Sequence, residues 1–166
     1  MAIKDALLPE YDHELATTRR LLERVPEADL GWKPHPKSFS LGELAAHVAN
    51  LPFWGLTTAQ TTELDLASLG DEARIKPPAS TAAMLTRFDT VVAEARAAIA
   101  GCGDSEMMSP WTLKNNGQEI FTLPKIAALR SFVMNHLIHH RGQLSVYLRL
   151  RDVPLPPIYG PSADEQ

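Results

Sequence analysis

The C-terminal part of the chain carries a helical repeat with a polar middle, and this repeat constrains the fold more than any other stretch. Its inward positions recur at alternating steps of three and four, the spacing of one face of an α-helix. They are Ile126, Leu129, Val133, His136, His140, Gln143, Tyr147 and Leu150. Imidazole and amide groups on a core-facing seam cost free energy unless a partner satisfies them. The repeat therefore predicts a long helix, from Pro124 to about Arg151, with a polar site on its inner face.

Three earlier segments show the same spacing, and each has its own start or stop signal. The first covers about residues 5–25 and ends at a proline, which removes a backbone donor. The second follows Ser40, with Glu43 three residues later in capping-box spacing. The third begins at Ser80 or Thr81 and ends at a glycine-rich stretch. Together with the last helix they predict an all-α fold, a single four-helix-bundle domain over residues 1–166.

The connections between these helices are longer than those usual in bundles. They cover residues 26–40, 64–79 and 104–123, whereas bundle neighbours are normally joined by a few residues. Such lengths permit a non-sequential helix order and supply loops around a site. Residues 119–122 are compatible with a strand in a short hairpin that follows the turn-like Asn115-Asn116-Gly117.

Helical position separates the histidines into candidate ligands and surface residues. His136 and His140 are one turn apart on the predicted seam, a spacing that lets one helix offer two nitrogens to one metal ion. His47 lies on the apolar seam of the second helix and is predicted to face the same core. Three histidine ligands would leave a tetrahedral ion one open position, as in catalytic zinc sites. The alternative is that each imidazole is neutral and hydrogen-bonded within the core.

The remaining histidines and polar residues have less specific positions. His13 and His35 lie off the seams, and His139 falls toward the edge of its helix, so we expect none of them to be ligands. Arg141 points away from the seam, which predicts a surface position or an ion pair between helices.

Three residues near the predicted ligands are candidates for contact with a substrate. Gln143 could orient a ligand or pair with a neighbouring helix, and Trp54 and Tyr147 could line the cavity or belong to the core. No acidic residue is placed as a general base, so no catalytic residue is assigned.

Composition narrows the functional classes. A formal net charge of −4 without a block of basic residues argues against a nucleic-acid partner. No apolar run is long enough to cross a membrane, and the first ten residues lack the apolar core of a signal peptide. The single cysteine, Cys102, excludes an internal disulfide. We therefore expect a cytoplasmic protein that contacts neither membranes nor nucleic acids.

Four stretches of the sequence resemble the DinB-like superfamily. They are residues 41–47 (LGELAAH), Trp54, residues 136–143 (HLIHHRGQ) and residues 154–165 (PLPPIYGPSADE). The likeness implies a four-helix bundle with a non-sequential connection, often dimeric, and a three-histidine site for a divalent metal, usually zinc or nickel. The matching ligand positions are His47, His136 and His140.

The same resemblance implies a class of chemistry. Characterised relatives include enzymes that transfer low-molecular-weight thiols to electrophiles and a thiol-dependent isomerase, and the family name refers to damage-inducible expression, a stress response. We therefore expect a homodimeric, metal-dependent enzyme that acts on a small molecule, with thiol S-transferase activity. A metal-dependent hydrolase, or a non-catalytic metal-binding and dimerisation module, are the alternatives.

Overall fold

The computed structural model describes residues 1–73 and 75–165 of the chain. In this part the protein is mostly helical, with one small sheet. Its helices are α1 Ile3–Leu22, α2 Leu41–Gln60, α3 Thr81–Gly101, α4 Asp104–Met107, α5 Lys125–Ala128 and α6 Asn135–Arg149. Its strands are β1 Glu63–Asp65, β2 Pro110–Asn115 and β3 Gln118–Pro124. Short 3₁₀ turns cover Glu27–Asp29 and Leu66–Ala73.

The predicted helix starts follow from local hydrogen bonds. Ser40 Oγ accepts a hydrogen bond from the Glu43 backbone N–H at 3.1 Å, and the Glu43 carboxylate accepts one from the Ser40 N–H at 2.6 Å. This is the predicted capping box of α2. Ser80 caps α3 in the same way, accepting from the Ala83 N–H at 3.0 Å. α1 ends at Leu22, a few residues before the position predicted from the proline.

The all-α prediction is wrong, because the described residues include a three-stranded sheet in the order β1-β2-β3. β2 and β3 form an antiparallel hairpin, and β1 pairs with β2 in parallel. The hairpin turn has positive φ angles at Asn116 and Gly117, as a tight hairpin loop requires. Trp111 and Leu113 of β2 are buried with Ala128 of α5, and this packing holds the hairpin against the helices. Only the hairpin had a sequence signal, since β1 is three residues long.

A π-helical segment interrupts the last helix and shifts its buried face. Leu129–Met134 is π-helical and joins α5 to α6. A π turn contains more residues than an α turn, so positions beyond it rotate relative to an ideal α-helix. Beyond the segment the buried residues are Leu137, Arg141, Leu144 and Leu148, each one position after a residue of the predicted seam. The predicted seam is therefore wrong by one position from His136 onward, and the ligand candidates lie half-buried beside the core.

The shift brings a charged side chain into the core. Arg141 is only 1% exposed and pairs with Glu14 of α1 at 2.7 Å. Its guanidinium also donates to the Glu14 carbonyl and to the hydroxyl of Tyr159 in the C-terminal tail. The sequence predicted a surface position or an ion pair between helices; the structure shows the ion pair, but in a buried position that was not predicted. Among residues 1–73 and 75–165, no helix is both long and apolar enough to cross a membrane.

Candidate metal centre

Three imidazoles meet where α2 packs against α6. His47 comes from α2, and His136 and His140 come from α6. One ring nitrogen of each lies within 4.8 Å of the corresponding nitrogens of the other two. In the described parts of the chain, no further His, Cys, Asp or Glu joins this group. The sequence prediction that these three side chains converge is confirmed.

The spacing of the nitrogens suits a metal ion. His47 Nε2 and His136 Nε2 are 3.3 Å apart. Two nitrogens bound to a tetrahedral zinc ion at about 2.0–2.1 Å would be about 3.3 Å apart. The same contact can also be a hydrogen bond between neutral rings, with one nitrogen carrying the proton. The donor set therefore fits a divalent ion of zinc type, with neutral nitrogen ligands only.

Neighbouring groups orient two of the rings. His140 Nδ1 lies 2.7 Å from Gln143 Oε1, so Nδ1–H donates to the amide oxygen and Nε2 is left with its lone pair. The His136 ring makes a hydrogen bond to the Phe132 backbone one turn earlier. Such outer contacts fix the tautomer and direction of metal-binding histidines. Gln143 is therefore a positioning residue for His140.

Burial keeps all three imidazoles neutral. Desolvation lowers the pKa of His47 to about 4, with further lowering by the neighbouring His140 and His136. Desolvation also lowers the pKa of His136 and of His140, although the hydrogen bond that His140 donates to Gln143 opposes the effect at His140. A histidine must be deprotonated to bind a metal. The cluster is thus ready to accept an ion at neutral pH, without displacing protons.

The other predicted residues lie around the cluster in different ways. Gln143 is exposed and bonds to its own helix instead of a neighbouring one. Trp54 packs edge-on against Phe132 at 5.2 Å between ring centroids. Tyr147 packs edge-on against Trp32 at 5.8 Å. A substrate role for these three residues stays a prediction.

The residues expected to stand outside the site do so. His13, His35 and His139 are exposed, and none of them belongs to the ligand group. The His139 ring is near that of His140, at 4.9 Å between centroids, but its nitrogens are not among the mutually close ligand atoms of the group. Cys102 is buried at the end of α3, where burial raises the pKa of its thiol.

Two aromatic neighbours of the cluster were missed. Phe39 lies 6.2 Å from the His47 ring and is 40% exposed, and Phe132 lies 6.1 Å from the His136 ring. Phe39 directly precedes the Ser40 cap, where an apolar residue often packs back on its helix. The position of Phe39 in the sequence could therefore have indicated that it packs against α2. Phe132 lies in the π-helical segment, where α-helical spacing gives no reliable face.

Comparison with known proteins places the chain in a family. The model of the DinB superfamily matches residues 10–144, so the chain belongs to the DinB superfamily. It is 26% identical to the "uncharacterized protein YrdA" of Bacillus subtilis (strain 168), over 97% of this chain and 90% of that protein.

Solved structures share the fold. A DinB-like protein from Bacillus cereus ATCC 10987 aligns with a TM-score of 0.72 and 20% identity, covering 95% of this chain and 98% of that one. A DinB-like protein (YjoA) from Bacillus subtilis aligns with a TM-score of 0.69 and 17% identity, covering 93% and 98%. At these identities the likeness supports the fold, and the site rests on this chain's own residues.

Replacing Gln143 with alanine should weaken metal binding without disturbing the fold. The side chain is exposed, and its described side-chain hydrogen bond goes to His140. Loss of such an outer contact typically costs about 10–100-fold in metal affinity. Competition with a chromogenic chelator would measure the change. Gln143→Glu keeps an acceptor oxygen and should retain affinity; equal loss in both variants would show that the hydrogen bond does not matter.

The metal-free protein should lose stability as the pH falls from 7 to 5. In the unfolded chain His47 takes up a proton near pH 6.5, whereas in the folded protein it does so only near pH 4. Between these values the unfolded state binds more protons, so acid favours unfolding, by about 2 kcal/mol at pH 5 from this residue. Urea denaturation at both pH values would measure it. His47→Gln should show a smaller difference than the wild-type protein, and an identical difference would contradict the prediction.

Proposed function

We propose that this protein is a divalent-metal-dependent enzyme that transfers a thiol to an electrophilic small molecule. The observation that carries the proposal is the convergence of three neutral imidazoles without a fourth ligand from the described residues. Catalytic zinc sites use three protein ligands and keep one position open, whereas structural sites use four. A divalent ion bound here would lower the pKa of a thiol in the open position and supply a nucleophile at neutral pH.

The chain's own residues would hold and shape the site. His47 joins α2 to α6 through the cluster, and the hydrogen bond from His140 Nδ1–H to Gln143 leaves Nε2 of His140 available to an ion. Phe39 and Phe132 place apolar surface beside the rings, which limits the approach of water and suits the carbon skeleton of a substrate. The half-buried position of the histidines leaves the cluster within reach of a ligand from outside the core.

The test compares metal-loaded and metal-stripped protein against a panel of electrophiles with and without a low-molecular-weight thiol. The proposal expects thiol adducts only with both metal and thiol present, and little product with His140→Ala. Turnover of esters, amides or phosphates without thiol would instead identify a metal-dependent hydrolase. A metal that raises stability but supports no turnover would identify a non-catalytic binding module.

Several finer features belong to the same proposal. The ion is zinc or nickel, which suit imidazole ligands. The partner is a small molecule, with a low-molecular-weight thiol as co-substrate, and no nucleic acid is involved. The protein acts in the cytoplasm as a homodimer, in a response to chemical stress. Elemental analysis of protein purified without a metal-affinity tag would test the identity of the ion.

A further inference from the structure

The segments that surround the histidine cluster differ in charge from the rest of the chain. Residues 31–60 and 120–151 contain seven Lys and Arg but a single acidic residue, Glu43. The remaining residues therefore contain nine of the 16 basic and 19 of the 20 acidic side chains. A chain with net charge −4 thus builds its site from segments with a formal charge of +6. Such an excess attracts anionic ligands where its charges are not already neutralised by acidic partners.

Most of these positive charges already have partners. Lys125, Arg130, Arg141, Arg149 and Arg151 each pair with an acidic residue outside the two segments. The loop between α1 and α2 carries the other two, Lys33 and Lys37. Lys33 Nζ lies 3.4 Å from Glu43 Oε2 and its side chain is 41% exposed. Lys37 is exposed and makes no ion pair with the described residues.

This loop is held in place beside the cluster. The Trp32 carbonyl accepts a hydrogen bond from the Leu41 N–H at 2.8 Å, and the Leu30 carbonyl accepts one from Gly42 at 2.9 Å. A Cβ at Gly42 would lie only 2.9 Å from the Leu30 oxygen, so the close approach requires glycine. At the other end of the loop, Phe39 lies against the His47 ring. The loop thus forms a fixed rim of the site.

Lys33 is held at the first turn of α2, one turn before His47. Its ammonium contacts Glu43, which is one helical turn before His47, so the two α2 side chains are about 6 Å apart at Cβ. The Glu43 carboxylate also accepts a hydrogen bond from the Ser40 N–H. An ammonium group has three donors, and Glu43 occupies one. Lys33 therefore retains donors on the exposed side of the rim.

We propose that Lys33 and Lys37 bind a carboxylate of the substrate, one helical turn from the histidine cluster. This inference rests on the proposed function and specifies its substrate: a thiol that also carries a carboxylate. The state of the backbone N–H groups at the start of α2 favours a carboxylate ligand over a phosphate. Phosphate sites commonly use free N–H groups at a helix N-terminus, but those of Leu41, Gly42 and Glu43 are already bonded to Trp32, Leu30 and Ser40.

The test compares two thiols of equal length, 3-mercaptopropionate and 3-mercaptopropan-1-ol. In the first, sulfur and carboxylate are roughly 5 Å apart, comparable with the spacing of about 5–6 Å between side chains one helical turn apart. Binding of each thiol to cobalt-loaded protein is followed by the change in the visible spectrum. We expect the wild-type protein to bind the carboxylate thiol about tenfold more tightly than the alcohol.

The double variant Lys33→Gln/Lys37→Gln should bind both thiols equally, with unchanged affinity for the alcohol. The control variant Lys4→Gln/Arg96→Gln removes the same number of positive charges from α1 and α3 and should keep the tenfold preference. Raising the salt concentration should reduce the preference in the wild-type protein. A preference that survives the double substitution, or no preference in the wild type, would overturn the carboxylate site alone. If neither thiol alters the spectrum, the proposed thiol chemistry fails and this inference fails with it.

Discussion

Replacing His47 with alanine is expected to lower zinc affinity by roughly 10²–10³-fold, a loss comparable to that in His140→Ala. His47 is the one ligand that α2 contributes to the group, so its loss leaves two nitrogens from a single helix. An ion held by two imidazoles exchanges readily with water and chelators. Isothermal titration, or competition with a chelator of known affinity, would measure the difference.

The matched control for this prediction is His139→Ala. His139 is next to a ligand in sequence and its ring lies near that of His140, but it is exposed and outside the group. Zinc affinity in this variant should stay close to that of the wild-type protein. A large loss in His139→Ala, or wild-type affinity in His47→Ala, would require a different ligand set. Circular dichroism on each variant would separate loss of ligand from loss of fold.

Replacing Arg141 with methionine is expected to destabilise the protein by about 3–5 kcal/mol. The substitution leaves the Glu14 carboxylate buried without its cation, at a position where the carboxyl side chain is only 7% exposed. It also removes the contacts to Thr18 and Tyr159, which connect α6 to α1 and to the C-terminal tail. Chemical denaturation at pH 7 would measure the loss. Because α6 carries two of the ligands, weaker metal binding should accompany it.

An exposed pair with similar geometry provides the comparison. Arg96 donates two hydrogen bonds to Asp12, but both side chains are more than 40% exposed, so Arg96→Gln should have little effect. The double variant Glu14→Leu/Arg141→Met should be more stable than Arg141→Met, because it leaves no unpaired charge in the core. Equal losses of stability in Arg141→Met and Arg96→Gln would show that burial does not determine the cost of breaking an ion pair.

Features that depend on a few neighbouring residues were predictable from the sequence. The capping box of α2, the cap of α3 and the turn at Asn116 and Gly117 each follow from side chains within four residues of one another. The three histidines could be selected because His136 and His140 share one helix turn, and because His47 is the other histidine on an apolar seam. The resemblance of the sequence to the DinB-like superfamily implied the same three positions.

Features that depend on contacts between distant segments were decided by the tertiary structure. β1 is too short to have a pattern of its own and exists because it pairs with β2, some 50 residues later in the chain. The π-helical segment moves the buried face of α6 by one residue, which brings Arg141 into the core and leaves His136 and His140 half-buried beside it. Sequence spacing assumes a constant number of residues per turn, whereas packing against α1 and α2 sets the actual rotation of the helix. Spacing along the chain thus identifies the three histidines that converge, whereas packing between distant segments sets how deeply each of them is buried.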